Sequence, residues 1–274
     1  MTPAKYEIRS LNSATKYPII HTYHKIGKDK KLQQDCIIFN EPVIVTEKLD
    51  GSNGRIVFMP YGHYYIGSRE ELILSSSSVL FSDKTLDITC QNIVNILKPI
   101  ADRLRERFNT SDPGYLLVLY FEVFGYKCSA RGKQYSGNST AVSCRLFDSC
   151  SVPVEMLGKT LSHISSWWEH GGQEFASWGV LLELASDWEL ITVPTLSKDW
   201  IPTKLIRATY LSLKQFIRET SCRIHITALG RPEGIIIRTP DRSQIAKIRY
   251  EDYGRTLGFD PYVNLDHDLV EGGN

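Results

Sequence analysis

The feature that most constrains this fold is a series of β-rich runs, several of which present a charged residue beside a glycine or inside an apolar stretch. PVIVT at 42–46 and RIVFM at 55–59 flank the segment EKLDGSN, and GHYYIG at 62–67 resembles a third strand. YLLVLYFEVF at 115–124, RLFD at 145–148, EGIIIRT at 233–239 and IAKIRY at 245–250 follow. Valine, isoleucine and aromatic residues dominate these runs, as they do in strands with a buried face. From 85 to 108 the pattern changes: Ile93, Leu97, Ile100, Leu104 and Phe108 recur at three- and four-residue steps with Arg103, Arg105, Glu106 and Arg107 between them. That spacing predicts an amphipathic helix, closed by the turn-forming SDPG at 111–114. Two helices are expected within 155–189, around the break at His170-Gly171-Gly172, and one more over 203–219. Strands with interspersed helices, but without regular βαβ alternation, predict an α+β fold with largely antiparallel sheets and flanking helices.

The 274 residues, 42% of them hydrophobic, suffice for a sizeable core. They read as a single domain over 1–274. Lys+Arg at 32 against Asp+Glu at 31 leaves a formal charge of +1, so any nucleic-acid surface must be local. Cys36, Cys90, Cys128, Cys144, Cys150 and Cys222 contain no CxxC pair or zinc-ligand spacing and read as reduced thiols. MTPAKYEIRS at the start has no apolar signal core, and the longest apolar stretch, Tyr115 to Phe121, is too short to cross a bilayer. An intracellular, cytoplasmic protein with no membrane partner is expected. No internal repeat is present, and SSSS at 75–78 reads as a loop. Trp167, Trp168, Trp178 and Trp188 have helical spacing and read as core, whereas His21, His24, His163, His170 and His225 lack ligand spacing.

Lys48, Glu122, Glu233 and the pair Lys247/Arg249 are the charges that matter. Lys247 and Arg249 are one residue apart, so in a strand they share a face, while Ala246 and Ile248 face the other way. Two cations on one face call for carboxylates or phosphates opposite. Glu122, inside LLVLYFEVFG, would cost several kcal/mol to bury alone. Glu233, before Gly234 and three isoleucines, is subject to the same argument.

At these residues the sequence resembles the covalent nucleotidyltransferases, which include polynucleotide ligases and RNA capping enzymes. KLDG at 48–51 resembles their KxDG nucleotidyl-transfer motif. GSRE at 67–70, FEVFG at 121–125, LFD at 146–148, EGIIIR at 233–238 and AKIR at 246–249 resemble the family's later motifs, in the same order. The motif-bearing core spans 42–250. DNA ligases and capping enzymes usually carry arginine five residues after the nucleophile; Asn53 at that place resembles the RNA ligase 2 branch. The final Lys-Ile-Arg departs from that branch's common Lys-x-Lys, and arginine's planar fork differs from an ammonium in how it meets phosphate.

The resemblance implies an ATP-dependent RNA ligase with a nucleotidyltransferase fold, sealing 5′-phosphate and 3′-hydroxyl RNA ends through a lysyl-AMP intermediate. It implies Lys48 as nucleophile and Glu47, Asn53, Arg69, Glu122, Phe147, Lys247 and Arg249 as nucleotide-binding residues. Among these, Glu122 would hold the ribose and Phe147 stack on the purine. Glu233 would hold Mg2+, with Mn2+ as an alternative. A free lysine is only ~0.1% neutral at pH 7.5, so neighbouring cations at Lys247, Arg249 and the metal are expected to lower the pKa of Lys48. Gly51 and Gly54 let the backbone turn beside the nucleotide. Only 25 residues follow Arg249, so neither an OB-type domain nor a C-terminal RNA-recognition domain is expected, and RNA docking falls to the core itself or to a protein partner. A DNA ligase, a capping guanylyltransferase and a non-catalytic RNA-binding relative are the alternatives. Nothing in the sequence assigns a role to Thr22-Tyr23-His24-Lys25, ahead of the motif.

Overall fold

A computed structural model describes residues 5–78, 80, 86–108 and 114–260. The chain forms two compact units interleaved in sequence: residues 1–19, 50–132 and 139–192 in one, and 20–49, 133–138 and 193–274 in the other. The chain passes from one to the other between Leu49 and Asp50, immediately after the nucleophile candidate.

The first unit is built on a six-stranded sheet in which every neighbouring pair is antiparallel. Its order is Leu72–Ser75, Tyr64–Ser68, Ser52–Phe58, Tyr115–Gly125, Val142–Pro153 and Glu174–Phe175. The central strand Tyr115–Gly125 is buried over most of its length, as its run of Leu, Val, Tyr and Phe requires. On one face lies the helix Ile88–Leu104, burying Ile93, Leu97, Ala101 and Leu104. Its start is fixed by Asp87, whose carboxylate accepts the Cys90 N–H at 2.7 Å. A Cβ on Gly54 would meet Leu97 at 2.8 Å, so glycine there lets sheet and helix approach. The expected helix is shorter at its C-terminal end: its last turn, Arg105–Phe108, tightens to a 3-10 helix that still buries Phe108. The SDPG turn falls largely outside the described residues. The helices expected within 155–189 are Leu161–Glu169 and Trp178–Asp187, both N-capped by a Ser or Thr side chain, and Trp178 is buried.

The second unit carries a four-stranded antiparallel sheet ordered Thr195–Trp200, Val43–Lys48, Gly234–Arg238 and Ile245–Arg249. Val43, Val45, Ile235, Ile237, Ala246 and Ile248 form one face, packed with Tyr210, Leu213 and Ile217 and with Tyr250 and Tyr253. Those residues come from, or adjoin, the helices Ile206–Phe216 and Tyr250–Leu257. A separate hairpin pairs His24–Ile26 with Leu32–Cys36. The two β-rich runs flanking EKLDGSN therefore belong to different sheets, and Lys48 ends a strand instead of sitting in a turn. Strands Leu72–Ser75 and Thr195–Trp200 are not among the expected runs; the second, TLSKDW, is polar and half exposed. All six cysteines are free. No helix among the described residues is long and apolar enough to cross a membrane.

Candidate active site

In the four-stranded sheet the alternation of side chains separates an apolar face from a charged one. Lys48, Gly234 and Arg249 form one row across three strands, since Gly234 is opposite both Lys48 and Arg249. Thr46, Ile236 and Lys247 form the next row. Paired residues share a face, so Lys48, Lys247 and Arg249 all stand on the side away from the core. Adjacent strands are about 4.8 Å apart, which puts Lys48 and Arg249 about 10 Å apart at Cα with only a glycine between them. Gly234 is obligatory: a Cβ there would lie 2.1 Å from the Ile248 carbonyl oxygen.

The three cations have different partners. Lys48 Nζ donates to Glu233 Oε2 at 2.5 Å, both side chains being largely shielded. Arg249 forms a two-pronged contact with Asp252, Nε to Oδ2 at 2.8 Å and Nη2 to Oδ1 at 2.9 Å. Asp252 is 1% exposed. Burial alone would lower the pKa of Arg249, but the hydrogen bonds and charge of Asp252, with the charge of Glu233, outweigh it and the pKa rises. Lys247 is half-buried and its Nζ makes no hydrogen bond or ion pair among the described residues. Burial first, then repulsion from Arg249 and Lys48, lowers its pKa below the ordinary lysine range. A half-buried ammonium without a hydrogen-bond partner among the described residues has the chemistry to take an anion.

Glu47 is not brought to this face. As the neighbour of Lys48 it points the opposite way, is 1% exposed, and accepts hydrogen bonds from the Thr220 hydroxyl and from Ser221 Oγ at 2.8 Å.

In the six-stranded sheet, Asn53, Glu122 and Arg145 form a row. Glu122 Oε1 accepts the Gly51 N–H at 3.0 Å, which ties the glycine turn that follows Lys48 and Leu49 to the central strand. Asn53 Oδ1 is buried without a hydrogen-bond partner, an acceptor available to a ligand donor. Arg145 donates to Ser143 Oγ and to the Cys144 carbonyl, with its guanidinium over the Phe124 ring. The turn is held further by Ser129 Oγ on the Asp50 carbonyl at 3.0 Å and by Arg131 Nε, 3.7 Å from Asp50 Oδ2. A Cβ on Gly51 would sit 2.3 Å from the Val123 carbonyl oxygen, so only glycine fits. Phe147 is the extra residue of a β-bulge, because Tyr120 is opposite Asp148 and Phe121 opposite Leu146. It is half-buried and edge-on to Tyr17 at 4.9 Å, within an aromatic cluster that includes Tyr120. Arg69 lies exposed after its strand, 3.9 Å from Glu70.

Sequence reasoning missed Asp252, whose spacing of three from Arg249 was a readable signal. It also missed Arg131, Ser129, Thr220 and Ser221, which are far from their partners in the chain and gave none.

The charged face of the four-stranded sheet therefore combines a lysine paired with a carboxylate, a second lysine whose ammonium has no hydrogen-bond partner among the described residues, and an arginine held by Asp252. The model of the RNA ligase family matches residues 41–249, about three quarters of the chain. The chain belongs to the RNA ligase family. No curated protein matches it in sequence. Similar solved structures include the RNA ligase of Naegleria gruberi with PPi, at 13% identity and a TM-score of 0.47, covering 78% of this chain and 51% of that one. A variant of that enzyme with ATP and Mn aligns at 12% identity and 0.48, covering 80% and 52%. Another with AMP and Mn aligns at 12% and 0.47, covering 85% and 61%. The chain thus spans little more than half the length of these relatives.

Proposed function

We propose that this chain is an ATP-dependent RNA ligase that seals 5′-phosphate and 3′-hydroxyl RNA ends, with Lys48 as its nucleophile. The observation that carries the reading is the charged row Lys48–Gly234–Arg249 with Lys247 beside it, in a chain of the RNA ligase family. Lys48 Nζ attacks the α-phosphorus of ATP. The N–P bond forms as the P–O bond to pyrophosphate breaks, and the electron pair leaves on pyrophosphate. The proton that Lys48 must shed has a carboxylate within hydrogen-bond reach in Glu233. AMP then passes to the 5′-phosphate of RNA, and a 3′-hydroxyl displaces it as the strand closes.

Lys247, unpartnered and half-buried, takes a phosphate oxygen in the first step, where a preset charge needs no reorganisation. Arg249 acts at one remove: its fork is held by Asp252, so it contributes through its remaining N–H groups. Asn53 and Glu122 supply acceptors for the nucleotide's donors, Arg69 an exposed phosphate contact, and Phe147 an aromatic surface for the purine. Glu47, on the opposite face, would act only indirectly, through the Thr220 and Ser221 hydroxyls it accepts from.

No cluster of three His, Cys, Asp or Glu side chains among the described residues could hold an ion alone. The residues fit Mg2+ or Mn2+ nonetheless, since such an ion takes one or two carboxylates, here Glu233, and completes its shell with phosphate oxygens and water. Bound there, it would neutralise charge on the phosphates. RNA docks on the core or through a protein partner, and the protein works in the cytoplasm. Incubation with α-labelled ATP or GTP and Mg2+, followed by denaturation, tests the reading. Label from ATP is the expected result, and equal or greater labelling from GTP would move it to capping chemistry.

A further inference from the structure

The segment ahead of the motif joins the edge of the charged sheet. Thr22 pairs with Lys247 as a parallel bridge, with the Lys247 N–H donating to the His21 carbonyl and the Tyr23 N–H to the Lys247 carbonyl, both at 2.9 Å. Paired residues share a face, and Tyr23, the next residue, is 2% exposed in the apolar core. Thr22 therefore extends the row Thr46–Ile236–Lys247 on the nucleophile's side. It is half-buried, and its hydroxyl makes no hydrogen bond among the described residues.

From these placements we infer that Thr22 is a substrate-binding residue whose hydroxyl, beside Lys247, donates to a phosphate oxygen at the pyrophosphate end of ATP. The inference rests on the ligase reading. Lys48 is on the strand two away from that of Lys247, and Thr22 is one strand farther on. A displacement at the α-phosphorus expels its leaving group on the side opposite the attacking nitrogen. On the side of this face away from Lys48, Arg249 is already held by Asp252, which leaves Lys247 and Thr22 as the unpartnered pair to meet the departing phosphates. An ammonium supplies charge, and a β-branched hydroxyl with restricted rotamers supplies direction.

The test compares Thr22→Val, which keeps the shape and removes the donor, with Thr22→Ser, which keeps the donor. Single-turnover adenylylation at sub-saturating ATP should fall about tenfold in Thr22→Val, the scale of one hydrogen bond to a charged group. Thr22→Ser should restore it to within about threefold. Sealing of pre-adenylylated RNA, which involves no pyrophosphate, should be unchanged in both. Adenylylation of Thr22→Val within twofold of wild type overturns the inference, and so does an equal loss in both steps, which would mark a structural role. Absence of adenylylation in the wild type would instead overturn the ligase reading itself.

Discussion

The two sheets each place cations among apolar neighbours, and they treat them in opposite ways. Arg55, in the six-stranded sheet, is fully buried and donates to the Thr15 carbonyl at 3.1 Å and to Asn12 Oδ1. Burial pushes its pKa down to about 10, while the field of Tyr120 and Glu70 partly opposes the fall. The N-terminal helix Lys5–Ala14 and the residues just after it are thereby anchored to the sheet. Lys247, in the four-stranded sheet, has no such partners and keeps one side open. GRIVF and AKIRY look alike as strings, yet one cation is consumed by structure and the other is held in reserve. The lesson is that a lone charge in a strand becomes informative only once its partners are counted.

The largest effect is expected from Lys247→Ala. Single-turnover adenylylation should fall roughly 30- to 1,000-fold, the equivalent of about 2–4 kcal/mol of lost phosphate stabilisation. A change below about fivefold would make Lys247 a solvated surface charge like any other. Arg55→Met should do the reverse, destabilising the fold by about 2–3 kcal/mol in denaturant titration because it strands the Thr15 and Asn12 acceptors. Adenylylation per folded molecule should hold. Loss of adenylylation without loss of stability would mean Arg55 belongs to the site.

Arg249 is the intermediate case. Arg249→Lys should lose less activity than Arg249→Ala, since charge survives though the two-pronged contact to Asp252 is lost. Equal losses would show that only the fork matters. The smallest effect concerns stability and pH. The folded pKa of Lys247 lies below lysine's ordinary 10.5, so its charged form is disfavoured on folding. That penalty is fully present below the folded pKa and disappears as pH rises towards 10.5. Lys247→Met should therefore melt slightly higher than wild type at pH 7, with the gap closing at alkaline pH. A lower melting temperature in Lys247→Met at pH 7 would count against a cation held under strain for function.

Much of this organisation was legible in the sequence. The strands Val43–Lys48, Tyr115–Gly125, Gly234–Arg238 and Ile245–Arg249 announce themselves because Val, Ile and aromatic residues repeat with period two or run unbroken through a buried layer. The shared face of Lys247 and Arg249 follows from the same period. By that rule the opposite facing of Glu47 and Lys48 was also readable once Lys48 was known to lie in the strand. What resisted reading depends on long-range pairing. Thr195–Trp200 is a polar strand whose place comes from its neighbour Val43–Lys48. Thr22 gains meaning only from a partner 225 positions away at Lys247. Phe147 is the extra residue of a bulge that no periodicity announces.

If Lys48 carries the nucleotide, the adduct can be located on it by peptide mapping. Wild-type protein would be incubated with ATP and Mg2+, denatured, digested and read by mass spectrometry, with Lys48→Ala in parallel. The expected result is an AMP adduct on the peptide containing Lys48, none in Lys48→Ala, and residual sealing of pre-adenylylated RNA by that variant. An adduct on Lys247 or another residue, or undiminished labelling of Lys48→Ala, would contradict it.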